Sequence, residues 1–250
     1  LELERLLDRS PSRERRLCLA MLIRRLLEPG SMLQTACSLG RSTLGEELGV
    51  EGADEDDLYA ALDWLLERQQ RIERALAGRH LRDGTLVLYD VSSSYFEGES
   101  CPLAARGYSR DERRSALQIV WGLLCDPAGR PLAVEVFEGS LHDDATLPAQ
   151  LEKLRERFAL REVVVVSDRG MVTKANLEAL GAAGYGWITA LRAPQLKRLA
   201  RQGELQLSLF DEHNLAEIES EDFPGERLVC CRNPLVAAER DRKREDLLLA

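Results

Sequence analysis

Six cysteines are scattered through the 250 residues without one C-x-x-C pair, and only three histidines accompany them. That spacing excludes the common structural zinc sites, and adjacent Cys230 and Cys231 are poor partners for each other. Reduced thiols in a cytoplasmic protein are the expectation. No apolar run approaches the ~20 residues needed to cross a bilayer, so no membrane span is expected. The first sixteen residues are charged throughout, which excludes a signal peptide there. The chain opens on Leu instead of Met, so the start of the gene product is expected to lie upstream. Aromatic residues make up 5% of the chain, too few for a lectin-like surface. Lysine is scarce as well: the basic residues are 30 Arg and 4 Lys, a bias that fits a GC-rich genome. The net charge of −9 works against nucleic-acid binding except through a local basic patch.

What is present is a soluble composition, 44% hydrophobic and 31% charged, long enough for one large domain or two ordinary ones. Residues 1–83 read as an all-helical region. Ser12 is placed to cap a helix through Leu19, Ile23 and Leu27 that Pro29-Gly30 stops. Thr43 with Glu46 suggests a capping box. Leu58, Leu62, Leu65, Ile72 and Leu76 predict one long helix whose apolar seam Gln69 interrupts, better suited to ordinary packing than to a coiled coil. The short helices between 31 and 49 have helix-turn-helix spacing, but no basic recognition helix follows them. From Gly84 the period changes. Strands are expected at Thr85–Val91, Leu117–Cys125, Pro131–Phe137, Val163–Ser167 and Gly186–Leu191. A turn at Asp126-Pro-Ala-Gly129 joins the second and third, and helices are expected over Thr146–Phe158 and Thr173–Leu180. That order, three antiparallel strands, a helix, then parallel strands, is the order of the RNase H-like fold: an α/β mixed sheet preceded by helices. The region 84–193 is therefore read as a partial RNase H-like core. Residues 194–250 are read as the start of a β-rich insertion followed by a charged tail.

Two strands in the core end in carboxylates. Leu86-Val-Leu-Tyr delivers Asp90, and four consecutive valines, read as a strand buried on both faces, deliver Asp168. Open α/β sheets place chemistry at the carboxyl ends of strands. Two carboxylates ~4 Å apart repel by about 4 kcal/mol at an effective dielectric near 20. Either one takes up a proton or a cation lies between them, and a hard divalent ion suits an all-oxygen site. On this pattern alone a metal pair and a turn-capping aspartate remain equally open.

The segments Tyr89-Asp-Val-Ser-Ser-Ser-Tyr-Phe-Glu97, Arg106-Gly-Tyr-Ser-Arg-Asp111, Gly122-Leu-Leu, Gly129-Arg-Pro-Leu, Glu138-Gly-Ser-Leu-His-Asp143, Thr146-Leu147 and Ser167-Asp-Arg-Gly170 follow one another in a fixed order. As a collinear set they resemble the DDE transposases of bacterial insertion sequences, in the group typified by insertion sequence four, over most of 15–193. The resemblance implies a transposase that cuts and rejoins the ends of its own element. Asp90 and Asp168 would be catalytic residues and ligands of Mg²⁺ or Mn²⁺, activating water and later the freed 3′-hydroxyl. It implies double-stranded DNA as partner, both terminal inverted repeats and target, a homo-oligomeric active complex, and a bacterial cytoplasmic setting.

The chain departs from the family at the third acid. The Tyr-x₂-Arg-x₃-Glu-x₆-Lys signature has no match in these residues, and Glu239 and Glu245 lack the required Tyr and Arg. A fragment truncated at its C-terminus is expected, with enzymatic activity of its own left open. Arg106, Arg110, Arg113 and Arg114, and Arg169 with Lys174 beside the second aspartate, are candidate DNA contacts. Asp111 and Glu112 dilute the first cluster, for which a solvated loop is an equal reading. Tyr95 is read as a packing aromatic and His142–Asp143 as a structural turn, with Ser140 in place of the family's Asn. Two other readings remain: an inactive transposase remnant that binds DNA weakly or joins multimers, and a haloacid-dehalogenase-like phosphotransferase. The second wants an Asp where this chain has Ser92.

Overall fold

The computed structural model describes residues 2–98, 100–108, 116–171, 173–210, 213–236, 238–239 and 242–243. It divides into two compact units, Leu1–Thr189 and Ala190–Ala250. The first unit begins with six helices: α1 (Leu3–Leu7), α2 (Arg13–Leu27), α3 (Met32–Leu39), α4 (Thr43–Leu48), α5 (Glu55–Leu66) and α6 (Gln69–His80). Ser12 caps α2 as its sequence position suggests, its hydroxyl accepting from the Arg15 amide at 3.1 Å. The capping box expected at Thr43 and Glu46 does not form. Thr43 is already the first helical residue, with Ser42 in the cap position making no side-chain bond. Reciprocal boxes form instead at Ser31 with Gln34 and at Asp54 with Asp57.

The long helix expected across 58–76 is two helices. At the break, the Arg68 guanidinium lies 3.9 Å from the centre of the Trp64 ring and donates to the Trp64 carbonyl and to Asp8. The break turns α6 toward the sheet. Leu7, Leu17, Leu39, Leu58 and Ala61 close one core among the first helices, and a second core runs from Ala77 to Tyr185.

The sheet contains β1 (Thr85–Phe96), β2 (Leu117–Cys125), β3 (Pro131–Phe137), β4 (Val163–Ser167) and β5 (Gly186–Ile188), in the spatial order β3-β2-β1-β4-β5. The first three strands pair antiparallel, and β4 and β5 join β1 in parallel. This is the RNase H-like arrangement. The hairpin between β2 and β3 is fastened by Asp126, whose Oδ1 accepts from the Ala128 and Arg130 amides, both at 2.9 Å. Gly129 supplies the positive φ of 77° that the turn requires. β1 runs five residues past its expected end at Val91, because Ser92–Phe96 continue the pairing with β2.

Between β3 and β4 comes α7 (Leu147–Glu152), entered by a 3₁₀ turn and left through a π turn at Lys153–Arg157. α8 (Lys174–Ala182) links β4 to β5. Leu147, Leu151 and Leu154 bury their side chains with Val87, Tyr89, Val91, Val163 and Val165 in the second core. The alternate residues stay partly open: Leu86 is 39% exposed, Val136 46% and Ile188 54%. The valine strand is thus buried on one face, not on both, with Val164 and Val166 only half-buried on the other.

β3 is an edge strand, and α6 covers its free backbone. The Val134 amide donates to Glu73 Oε1 at 3.1 Å, while its carbonyl accepts from Gln69 Nε2 at 2.8 Å. Buried Glu73 also accepts from Arg157 at 2.6 Å and has Lys153 at 3.9 Å, and Lys153 pairs with Glu135 of β3 at 2.8 Å.

In the second unit, α9 (Ala193–Gln202) precedes a hairpin of β6 (Leu215–Ile218) and β7 (Leu228–Cys231). Helix α9 was not foreseen. Its Leu196 and Leu199 fall three apart, but a Pro at 194 and one short turn of apolar spacing give little periodicity to read. The charged tail at 239–246 lies largely outside the described residues. All six cysteines are free.

Removing Glu73 strands one cation, Arg157, and one strand amide, while Lys153 keeps Glu135. Glu73→Ala is expected to cost about 3–5 kcal/mol in urea unfolding, and Glu73→Gln less, because the carboxamide oxygen still accepts from Val134. An unchanged unfolding midpoint for Glu73→Ala would refute this role.

Candidate active site

The parallel pairing of β1 with β4 sets Tyr89 level with Ser167, so Asp90 and Asp168 follow as the next residues on neighbouring strands. Side chains alternate across a sheet, and both aspartates continue the series Leu86, Leu88 and Val164, Val166. They therefore share the open face. Each is exposed, and each turns one carboxylate oxygen back to the following amide: Asp90 Oδ1 to Val91 N at 2.8 Å, Asp168 Oδ1 to Arg169 N at 2.6 Å. Those bonds fix the carboxylates by their own backbone and leave both Oδ2 atoms without a hydrogen-bond donor among the described residues.

Asp143 approaches the same rim. A Cβ added to Gly170 would lie 3.6 Å from Asp143 Oδ2 and 4.0 Å from Asp168 Oδ2. The absent side chain keeps room between two carboxylates. Among the described residues, however, no three His, Cys, Asp or Glu side chains converge as a metal-binding group. The oxygens of two exposed carboxylates are donors of the kind a hard divalent cation that keeps several waters would take.

The loops around the pair are pinned by buried amides. Asn176 of α8 donates through Nδ2 to the Asp144 carbonyl at 2.8 Å and the Met171 carbonyl at 2.7 Å, joining the loop after β3 to the loop after β4. Gln118 of β2 donates to the carbonyls of Tyr108 and Gly139 at 3.1 and 2.8 Å. Gly107 and Gly139 interlock there: a Cβ on Gly139 would sit 1.8 Å from the Gln118 carbonyl oxygen, and one on Gly107 would sit 2.1 Å from the Gly139 oxygen. At Gly122, a Cβ would fall 2.3 Å from the Tyr89 hydroxyl. Burial pushes that phenol up to about 12, so it stays protonated at neutral pH. Sequence reading quoted these glycines as motif letters and missed Asn176, whose only signal was its place three residues after the helix-capping Thr173.

Of the candidate DNA contacts, Arg106 is exposed on the loop that Gly107 anchors. Arg110, Arg113 and Arg114 lie outside the described residues. Arg169 is exposed on the 3₁₀ turn after Asp168. Lys174 opens α8, its side chain 92% exposed and 3.8 Å from Glu178. His142 is exposed ahead of the 3₁₀ turn that carries Asp143, and Ser140 bonds Glu138 at 2.8 Å.

The sequence profile described as the transposase DDE domain matches residues 82–229, more than half of the chain. The chain belongs to the transposase DDE domain family. Both aspartates and the pinned loops fall inside the matched segment. No curated protein sequence matches. Among solved structures, the piggyBac transposase synaptic complex with hairpin DNA overlaps 88% of this chain and 51% of its own, at 10% identity and a TM-score of 0.47. The Mos1 transposase paired-end complex with left transposon end overlaps 76% and 62%, at 14% identity and a TM-score of 0.32. The large terminase nuclease from thermophilic phage G20c with bound magnesium overlaps 62% and 82%, at 19% identity and a TM-score of 0.22. The chain thus spans about half the length of the piggyBac transposase and less than two thirds of the Mos1 transposase.

Asn176→Ala leaves two backbone carbonyls unpaired in a buried site and is expected to cost about 1–3 kcal/mol in denaturant unfolding. Gly139→Ala is expected to cost as much or more, since the obstructing atoms are backbone and cannot rotate away. Wild-type stability of either variant would contradict the packing described.

Proposed function

We propose that this chain is the core portion of a transposase that cleaves DNA at the ends of a mobile element and transfers the freed strands. Asp90 and Asp168 are the carboxylates that hold its divalent cations. The reading is carried by one observation: within the segment that matches the transposase DDE domain, Asp90 and Asp168 directly follow Tyr89 and Ser167, the last register partners of parallel β1 and β4. Bound Mg²⁺ or Mn²⁺ would supply charge to activate an attacking oxygen and to stabilise the leaving one. The protein's part is orientation. The Val91 and Arg169 amides lock one oxygen of each aspartate, and Gly170 keeps the space beside Asp168 free of a side chain.

The partner under this reading is double-stranded DNA, the element's terminal inverted repeats first and the target afterwards, with Arg106, Arg169 and Lys174 as phosphate contacts. Joining two ends calls for a multimer, and the setting is the bacterial cytoplasm. No described helix is long and apolar enough to cross a membrane. The third carboxylate is the open requirement, since the described residues bring no three metal-ligating side chains together. The second reading, a remnant that binds DNA or multimerises without cleaving, is not favoured over the first.

Two measurements separate these readings. Mn²⁺ titrated into the chain and followed by electron paramagnetic resonance should bind, and Asp90→Asn or Asp168→Asn should weaken that binding at least tenfold. Protein translated through the in-frame genomic continuation, if it carries the Tyr-Arg-Glu-Lys signature, should nick DNA at the element's ends only with Mg²⁺ or Mn²⁺. Asp90→Ala and Asp168→Ala should each abolish nicking, and wild-type nicking by either variant would sink the assignment. A stop codon directly after residue 250 would leave the remnant reading standing.

A further inference from the structure

Helix α9 carries a concentration of positive charge that the rest of this acidic chain does not lead one to expect. From Ala190 to Gly203 there are four basic residues, Arg192, Lys197, Arg198 and Arg201, and no Asp or Glu. At roughly 100° per residue, Lys197, Arg201 and Arg198 fall within an arc of about 100° on one side of the helix. Leu199, which is fully buried, points to the opposite side. Arg198 is held by Asp222 at 2.7 Å. Lys197 and Arg201 are both exposed, one turn apart, and neither has a carboxylate within ion-pair distance among the described residues. Gly203, at a φ of 82°, ends the helix before the next acid, Glu204. Leu199 on the far side of α9 is already buried, which argues against a helix whose apolar side lies in a lipid surface.

We infer that the exposed face of α9, through Lys197 and Arg201 with Arg198 beside them, is a contact surface for the phosphate backbone of duplex DNA. The inference rests on the proposed function for its choice of polyanion. It adds a surface in the second unit. In a chain of net charge −9, an exposed helix free of acids is a place where the phosphate backbone can approach. Such contacts position DNA without reading its sequence.

The test is the salt dependence of binding to a random-sequence 30-base-pair duplex, measured with the whole chain by fluorescence anisotropy. Each phosphate contact contributes about 0.9 to the slope of log K against log salt. Lys197→Gln with Arg201→Gln should therefore flatten the slope by about 1.8 and weaken binding on the order of tenfold or more at 0.1 M salt. The charge-matched control, Arg9→Gln with Arg82→Gln, replaces two exposed arginines of the first unit and should leave the slope unchanged. Equal slopes for wild type and the α9 variant would overturn this surface and leave the DNA reading intact. Equal flattening by the control would also overturn it, because net charge alone would then be the cause. No binding by the wild-type chain at any salt would overturn both.

Discussion

The candidate site depends on the parallel register of β1 against β4. Side chains in a sheet alternate with a period of two, so a slip of one residue would send one aspartate to the packed face and leave the other in solvent. The register is held by unequal faces. Val87, Tyr89, Val91, Val163 and Val165 are buried together, and a one-residue slip of either strand would expose its share of them. The hydrophobic side of the sheet thus fixes the position of the charged side. Tyr89 tightens the same constraint, because its hydroxyl occupies the space over Gly122 that any other residue on β2 would fill.

Around that frame, polar groups work where apolar packing cannot reach. The edge of β3 would expose a backbone amide and carbonyl at Val134, and α6 covers both with side chains instead of a sixth strand. Covering the edge places Glu73 in the interior, and the π turn after α7 supplies Arg157 and Lys153 to balance its charge. The loops at the carboxyl end of the sheet are irregular, so their carbonyls need donors, and Asn176 and Gln118 provide them. The helical region is therefore part of the scaffold of the sheet: α6 belongs by its contacts to β3 as much as to the helices before it.

The sequence was most legible where one physical rule dominated. Strands β2, β3 and β4 have the bounds their apolar patterns predict, since burial on at least one face and the Asp126 turn leave few alternatives. Both aspartates were legible because each ends an apolar run. The helix boundary at Arg68 was not, because the apolar seam continues through it. The break is made by long-range partners, Asp8 and the β3 edge, that local periodicity does not contain. The half-open face of β4 was misread for a related reason: four valines look alike whether one or both of their faces are covered. Within the region read as the start of a β-rich insertion, Leu207–Phe210 form a 3₁₀ turn instead of a strand.

Charge ties the two ends of the proposal together. A pair of exposed aspartates repels the phosphate that a transposase must bring to it, in a chain already at −9. Under the proposed function, divalent cations held by that pair would reverse the local sign, so metal and DNA would favour each other's binding. Linkage makes the coupling reciprocal: whatever factor the metal adds to DNA affinity, DNA adds to metal affinity. The basic face of α9 has the complementary role, since its attraction for phosphate does not wait for a cation. DNA contact through the second unit and metal-dependent contact at the sheet would then be separable by salt and by chelation, the first sensitive to ionic strength, the second to both.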